Sequence, residues 1–224
     1  MGDWSFFIDE VLDYWPQILD GLGNTLLLAA TITVTGLLWG VVVFYLALSE
    51  RRVVRRLTNA YISFFIGTPL IVLLFLMYYG LPQWGLRMSP FTVAVIGFTL
   101  NVAAYNARYL MTAYNGLDQA ELEAARAQGF SGLQVFRLVT LPQALRLAIP
   151  GLTNQAILNL KDSSVAFLIQ YTEFFAQVQE LATRSFEYFK AYVAAGFVYL
   201  AMVSVIVLAA RWLERRFMLP GVRR

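Results

Sequence analysis

Asn24–Ser49 reads NTLLLAATITVTGLLWGVVVFYLALS, twenty-six residues without an acidic or basic side chain. A helix rises about 1.5 Å per residue and a bilayer core is about 30 Å thick, so about 20 apolar residues suffice to cross it. Three further runs are equally free of acids and bases: Leu57–Leu86, Met88–Ala107 and Ala191–Ala210. The chain has 224 residues, of which 59% are hydrophobic and only 14% charged. A soluble domain carries roughly a quarter charged residues. The expected fold class is therefore an all-α membrane protein, with one transmembrane domain over residues 1–224.

Histidine and cysteine are both absent. That removes the usual transition-metal sites, thiol chemistry and histidine acid–base catalysis, so no metal and no catalytic residue is expected. The N-terminus does not read as a cleaved leader, because Asp3, Asp9, Glu10 and Asp13 stand where a signal peptide would be basic. Residues 1–23 hold five acids and no base, whereas Arg51, Arg52, Arg55 and Arg56 follow the first run. Arg87 is alone after the second run; Arg126, Arg137 and Arg146 follow the third; Arg211, Arg215, Arg216, Arg223 and Arg224 follow the last. Arginine thus gathers on alternate sides, which by the positive-inside rule puts the N-terminus outside and the C-terminus in the cytoplasm.

Opposite termini require an odd number of spans. The extra one falls on residues 147–170, which are apolar except for Lys161 and Asp162 and are interrupted early by Pro150 and Gly151. The reading is about five transmembrane helices, near 24–48, 57–80, 90–112, 147–170 and 191–212. Hydropathy alone would leave the fourth in doubt, since each charge near a helix centre costs roughly 2.5–3.5 kcal/mol on insertion scales.

Residues 116–142, on the arginine-rich side between spans three and four, carry two helix starts. Asp118 and Glu121 have capping-box spacing, as do Ser131 and Gln134. Gly129 suits the left-handed position that ends the first helix, and Pro142 limits the second. Two short capped helices projecting from the membrane read as a docking knob for a cytoplasmic partner.

The same residues spell a motif. Glu123-Ala124-Ala125, then Gly129, then Val139 and Leu141-Pro142 resemble the EAA loop of bacterial ATP-binding-cassette (ABC) importer permeases, with Val139 in place of the usual isoleucine. The resemblance extends from about residue 24 to 216 and is strongest to the polar amino acid uptake family. Gly67-Thr68-Pro69-Leu70 with Tyr78-Tyr79-Gly80-Leu81-Pro82 is similar to that family's second span. Asn101 with Ala104-Tyr105 is similar to its third. Leu141–Arg146, Asn154-Gln155 and Leu160-Lys161-Asp162-Ser163-Ser164 are similar to its fourth.

What the resemblance implies is specific. Glu123, Ala124, Ala125, Gly129, Leu141 and Pro142 would form the coupling loop that engages an ABC ATPase subunit, itself expected as a homodimer. A second permease chain, like or unlike, would complete the pathway, and an extracytoplasmic binding protein would deliver a polar amino acid. The location would be the bacterial cytoplasmic (inner) membrane, multi-pass in the lipid bilayer, with no nucleic acid partner. The chain has no G-x-x-x-x-G-K-[ST] phosphate loop. It is therefore expected to be a transport subunit and not an enzyme, with no cofactor of its own and with ATP and Mg on the partner ATPase.

Two features point to the pathway. Gly67-Thr68-Pro69 lies about ten residues into the second span, where Pro69 cannot donate to the carbonyl of Phe65; a broken spanning helix is the usual pointer to a transport site, though a plain kink would leave the same trace. Lys161 and Asp162 are adjacent and point about 100° apart on a helix, so each needs another partner. An amino acid zwitterion offers both, and so do neighbouring helices. The resemblance adds Asn154, Gln155 and Ser163 to Gly67, Thr68, Lys161 and Asp162 as pathway residues. Where the family usually has an acid and an arginine before Gly-Thr-Pro, this chain has Ser63 and Ile66, and Arg108 and Met111 replace a glutamate and an arginine after Ala-Tyr. Those departures suit either the weaker-binding half of an unlike pair or a subfamily with altered substrate choice. An ion-gradient-driven secondary carrier is the alternative function; it explains the buried charges but not the capped loop. An intramembrane enzyme lacks its catalytic cluster, and a scaffold would leave the loop without a task.

Overall fold

The computed structural model describes residues 4–217, with side chains described through 212. Among them the secondary structure is helical throughout, with no strand. The elements are α1 (Trp4–Asp13), α2 (Trp15–Ala47), α3 (Arg52–Gly67), α4 (Leu70–Phe75), α5 (Pro90–Asn115), α6 (Gln119–Ala127), α7 (Gly132–Val135), α8 (Leu141–Asp162), α9 (Phe174–Ser185) and α10 (Tyr188–Phe217). A π turn (Leu76–Gly80) and a 3₁₀ turn (Leu81–Trp84) extend α4, a second π turn (Phe136–Thr140) joins α7 to α8, and a 3₁₀ segment (Ser163–Ile169) follows α8.

Helix α5 is the centre of the bundle, packing against α2, α3, α4 and α8. Its start is set by Ser89, whose hydroxyl accepts from the Thr92 N–H at 3.2 Å, with Pro90 in the first turn. Small residues let its neighbour close in. A Cβ at Gly36 of α2 would lie 2.5 Å from the Val102 side chain, and one at Gly40 would lie 2.8 Å from Asn106. Four-residue spacing of small residues is how membrane helices approach closely enough for dispersion contacts to hold them. The hydroxyls of Thr35 and Thr99 meet across the same interface at 2.6 Å. By contrast α10 lies at the edge, with Phe197, Leu200, Val205 and Leu208 all exposed.

Three helices are long and apolar enough to cross a membrane: Trp15–Ala47, Pro90–Asn115 and Tyr188–Trp212. They match the expected spans one, three and five, although α2 starts earlier because Pro16 fits its first turn. The second expected span, 57–80, is not one helix. It breaks after Gly67 and turns by 99°, giving a fourth crossing only if the two arms count together. The fourth expected span, 147–170, falls short on apolar length. Its helix ends at Asp162 and continues as a 3₁₀ segment, and Asn154, Gln155, Asn159, Lys161 and Asp162 lower its hydropathy. The count among described residues is thus three or four by length and composition. Asp3, Arg223 and Arg224, and the side chains of Arg215 and Arg216, on which the orientation argument partly leans, lie outside the described residues.

Candidate functional site

Two regions gather the residues singled out by sequence, and they are built differently. In the loop, Asp118 caps α6 by accepting from the Ala120 N–H at 2.9 Å. Glu121 does not close that capping box. Its carboxylate instead accepts from Gln143 Nε2 at 2.7 Å, tying α6 to the start of α8. Ser131 and Gln134 do form a full capping box: the Ser131 hydroxyl accepts from the Gln134 N–H at 3.4 Å, and Gln134 Oε1 accepts from the Ser131 N–H at 2.8 Å. Gly129 adopts φ +85° with open space around it, so its backbone angle and not crowding demands glycine.

Leu122, Ala125 and Val135 bury a small core between the two loop helices, backed by Tyr114 and Val139. Glu123 and Ala124 are exposed on the opposite face. The second loop helix does not stop at Pro142. It runs through the π turn into α8, where the Leu141 N–H reaches back to the Phe136 carbonyl, and this wider turn absorbs a proline that an α-turn would not. Leu141 is half-buried and Pro142 exposed. Phe136 packs its ring against Phe44 and Tyr45 at 5.6 and 4.7 Å. The exposed Glu123 face is therefore joined rigidly to α2, α5 and α8.

The second region lies at the break between α3 and α4. Thr68 and Pro69 are extended, with ψ 127° and 130°. Pro69 has no N–H for the Phe65 carbonyl, and Asn101 of α5 supplies the missing donor, its Nδ2 reaching that carbonyl at 2.7 Å. An orphan carbonyl in a medium of low dielectric costs about 1–3 kcal/mol, so this bond makes the break tolerable. The helix does not merely kink here: its two arms meet at 99°.

A cavity of about 350 Å³ opens at this corner, lined by Gly67, Thr68, Asn101, Tyr105, Gln155 and Asp162 among others. Four of the seven expected pathway residues meet there. The other three do not: Asn154 is exposed elsewhere on α8, Lys161 is exposed and off the cavity, and Ser163 is fully buried with its hydroxyl donating to the Leu160 carbonyl at 2.7 Å. Neither Lys161 nor Asp162 is ion-paired with a described residue; the Lys190–Glu187 pair lies elsewhere, at the start of α10. Ile66, one of the two departures noted before Gly67-Thr68-Pro69, also lines the cavity. Asn101 and Tyr105 were quoted in the motif comparison but not counted as pathway residues. Their spacing of four, one helix turn, was the available signal. No group of three or more acids suited to a metal occurs among the described residues.

Comparison with known proteins adds the following. Residues 32–219 match the family described as binding-protein-dependent transport system inner membrane component. The chain is 37% identical to the probable amino-acid ABC transporter permease PatM of Vibrio harveyi, over 98% of this chain and 100% of that one. It is 35% identical to the probable amino-acid permease YxeN of Bacillus subtilis, over 97% of each. Its fold resembles a solved crystal structure of an amino acid ABC transporter with histidines, at TM-score 0.85 and 29% identity, covering 96% of this chain and 99% of that one.

Proposed function

The chain belongs to the family of binding-protein-dependent transport system inner membrane components, and from that premise we propose that it is the permease subunit of an ATP-driven importer for a polar amino acid. The observation that carries the proposal is the α6–α7 loop. An exposed Glu123–Ala124 face is clamped to α2 through Phe136 and to α8 through the π turn and the Glu121–Gln143 bond, which is the construction a lever needs.

In this reading the loop faces the cytoplasm, the N-terminus lies outside, and α8 with its 3₁₀ extension completes five membrane segments. Glu123, Ala124, Ala125, Gly129, Leu141 and Pro142 form the coupling element for a homodimeric ATPase, which holds the ATP and Mg. A second permease chain, like or unlike, closes the open side of the cavity, and a binding protein delivers substrate from outside. The cavity at Gly67 and Thr68 is the passage. There Asp162 meets the substrate's ammonium group, while Gln155 and Thr68 offer neutral hydrogen bonds. Lys161 serves the substrate only if the partner chain brings a second surface to it, and Asn154 and Ser163 support the helix.

Proteoliposomes holding the chain with its cognate ATPase and loaded binding protein test this. Uptake is expected to require ATP, and Glu123→Ala is expected to lower it at least about tenfold while membrane insertion survives. Uptake driven by an ion gradient without ATP would overturn the reading in favour of a secondary carrier. Because the chain has no cysteine, a single S131C substitution reports topology directly. Its labelling from the cytoplasmic side alone is expected, and labelling from outside would remove the lever's partner.

A further inference from the structure

Between α2, α5 and α8 four polar side chains, Thr33, Asn106, Gln155 and Asn159, converge on a second and much smaller cavity of about 30 Å³. Gln155 Nε2 donates to Asn159 Oδ1 at 3.0 Å, and Asn159 Nδ2 donates to Thr33 Oγ1 at 3.0 Å. All three amides are deeply buried: Asn106 is 3% exposed, Gln155 5% and Asn159 2%. The series leaves Asn106 Oδ1 and Gln155 Oε1 without a hydrogen-bond partner among the described residues. Two orphan acceptors beside one cavity, inside a helix bundle of low dielectric, call for a donor.

We propose that this cavity is a binding site for one water molecule, donating to Asn106 Oδ1 and Gln155 Oε1 and accepting from the Thr33 hydroxyl. The count of hydrogens decides it. Water brings two donors for two orphan acceptors. Its oxygen takes the Thr33 proton, since Thr33 already accepts from Asn159 and does not donate to a carbonyl four residues back as Thr31 and Thr35 do. Three hydrogen bonds are typical of a buried water, and about 30 Å³ has room for one molecule but not a file of them. A cation fits the inventory poorly. No carboxylate lines the cavity, only two oxygens are free, and an ion in a membrane interior must be compensated more fully than that. Gln155 also borders the larger cavity at the α3–α4 corner, so the water holds one pathway-lining side chain from behind.

Cryo-electron microscopy of the full-length chain in its assembled transporter is the direct test. One solvent peak within about 2.6–3.2 Å of both oxygens is expected. A dry cavity, or a direct bond between Asn106 and Gln155, would overturn the assignment. Thermal unfolding of the full chain in lipid nanodiscs gives a second readout. Asn106→Leu keeps the volume but removes an acceptor, and a hydrated site predicts a Tm lower by roughly 2–4 °C. Gln155→Leu is then expected to cost less in the Asn106→Leu background than alone, because the shared water has already gone. A dry site predicts the reverse sign, with Asn106→Leu raising Tm by removing an unpaired oxygen. A Tm that climbs with sodium chloride but not with choline chloride would replace the water with a cation. None of these readouts involves uptake, so they stand or fall apart from the transport function.

Discussion

The α6–α7 loop and the α3–α4 corner both interrupt a helical bundle, yet one is held by its own sequence neighbours and the other by a distant helix. Within the loop the bonds that start each helix span two or three residues: Asp118 to Ala120, and Ser131 with Gln134. At the corner the decisive bond spans thirty-six, from Asn101 to the Phe65 carbonyl. Local capping sets the shape of the projection, and the Phe136 and Glu121 contacts fix it to the bundle. A corner held from across the bundle is instead coupled to every movement of α5. Under the proposed function, that division places stiffness at the coupling surface and responsiveness at the passage.

The sharpest way to break this contrast is Asn101→Leu. The substitution keeps the bulk but strands the Phe65 carbonyl, at a cost of about 1–3 kcal/mol. Thermal unfolding in detergent is expected to shift down by several degrees, and uptake to fall with it, because the corner can no longer hold its angle. An unchanged Tm would mean that the carbonyl finds another donor and that the corner does not depend on α5.

The same contrast explains what sequence could and could not reveal. Capping residues and Gly129 act on their immediate neighbours, so the loop was legible residue by residue. Two details failed: Glu121 prefers Gln143, a partner that only the fold brings near, and Pro142 sits in a continuing helix behind a π turn. The break at Gly67-Thr68-Pro69 was visible because proline's missing N–H is a local fact, but its 99° turn was not. The bend is tied to α5 through Asn101, and nothing in the spacing of residues 65 and 101 announces their meeting. Segment 147–170 was harder to read for a related reason. Hydropathy counts Gln155, Asn159 and Asp162 against a span, whereas the fold turns Gln155 and Asn159 inward to one another and Asp162 to the cavity. Of the expected pathway residues, Ser163 was drawn in by resemblance alone, and its hydroxyl is spent on the turn after α8.

A smaller effect sharpens the local half of the comparison. Gly129 has open space but a left-handed backbone, so Gly129→Ala is expected to strain the loop by about 1–2 kcal/mol and to lower uptake several-fold. Gly129→Asn, tolerated in that region of backbone space, is expected to recover most of it. Equal loss in both variants would show that the glycine is needed for contact with a partner surface and not for its angle.

The smallest expected effect concerns Glu173, a carboxylate that the sequence reading passed over as part of a mixed-charge link outside the spans. It is fully buried. It caps α9 by accepting from the Phe175 and Ala176 N–H groups at 2.9 and 2.8 Å, and it accepts from the hydroxyls of Thr25 at 3.1 Å and Tyr199 at 3.4 Å. One acid thus ties α2, α9 and α10 together, a third mode of construction in which a local cap and a distant anchor share the same atoms. Burial pushes its pKa up from the ordinary 4.5 to about 7, against the pull of the donors around it. A carboxyl whose pKa is raised by folding favours the folded state most when it is protonated in both states. Its contribution is therefore full below about 4.5 and is lost as pH rises through about 7. Tm of the wild type is expected to fall across that window relative to Glu173→Gln, whose neutral amide keeps one accepting oxygen and does not titrate. Parallel profiles would mean that Glu173 ionises as a solvated acid does, and that α9 is held by its cap alone.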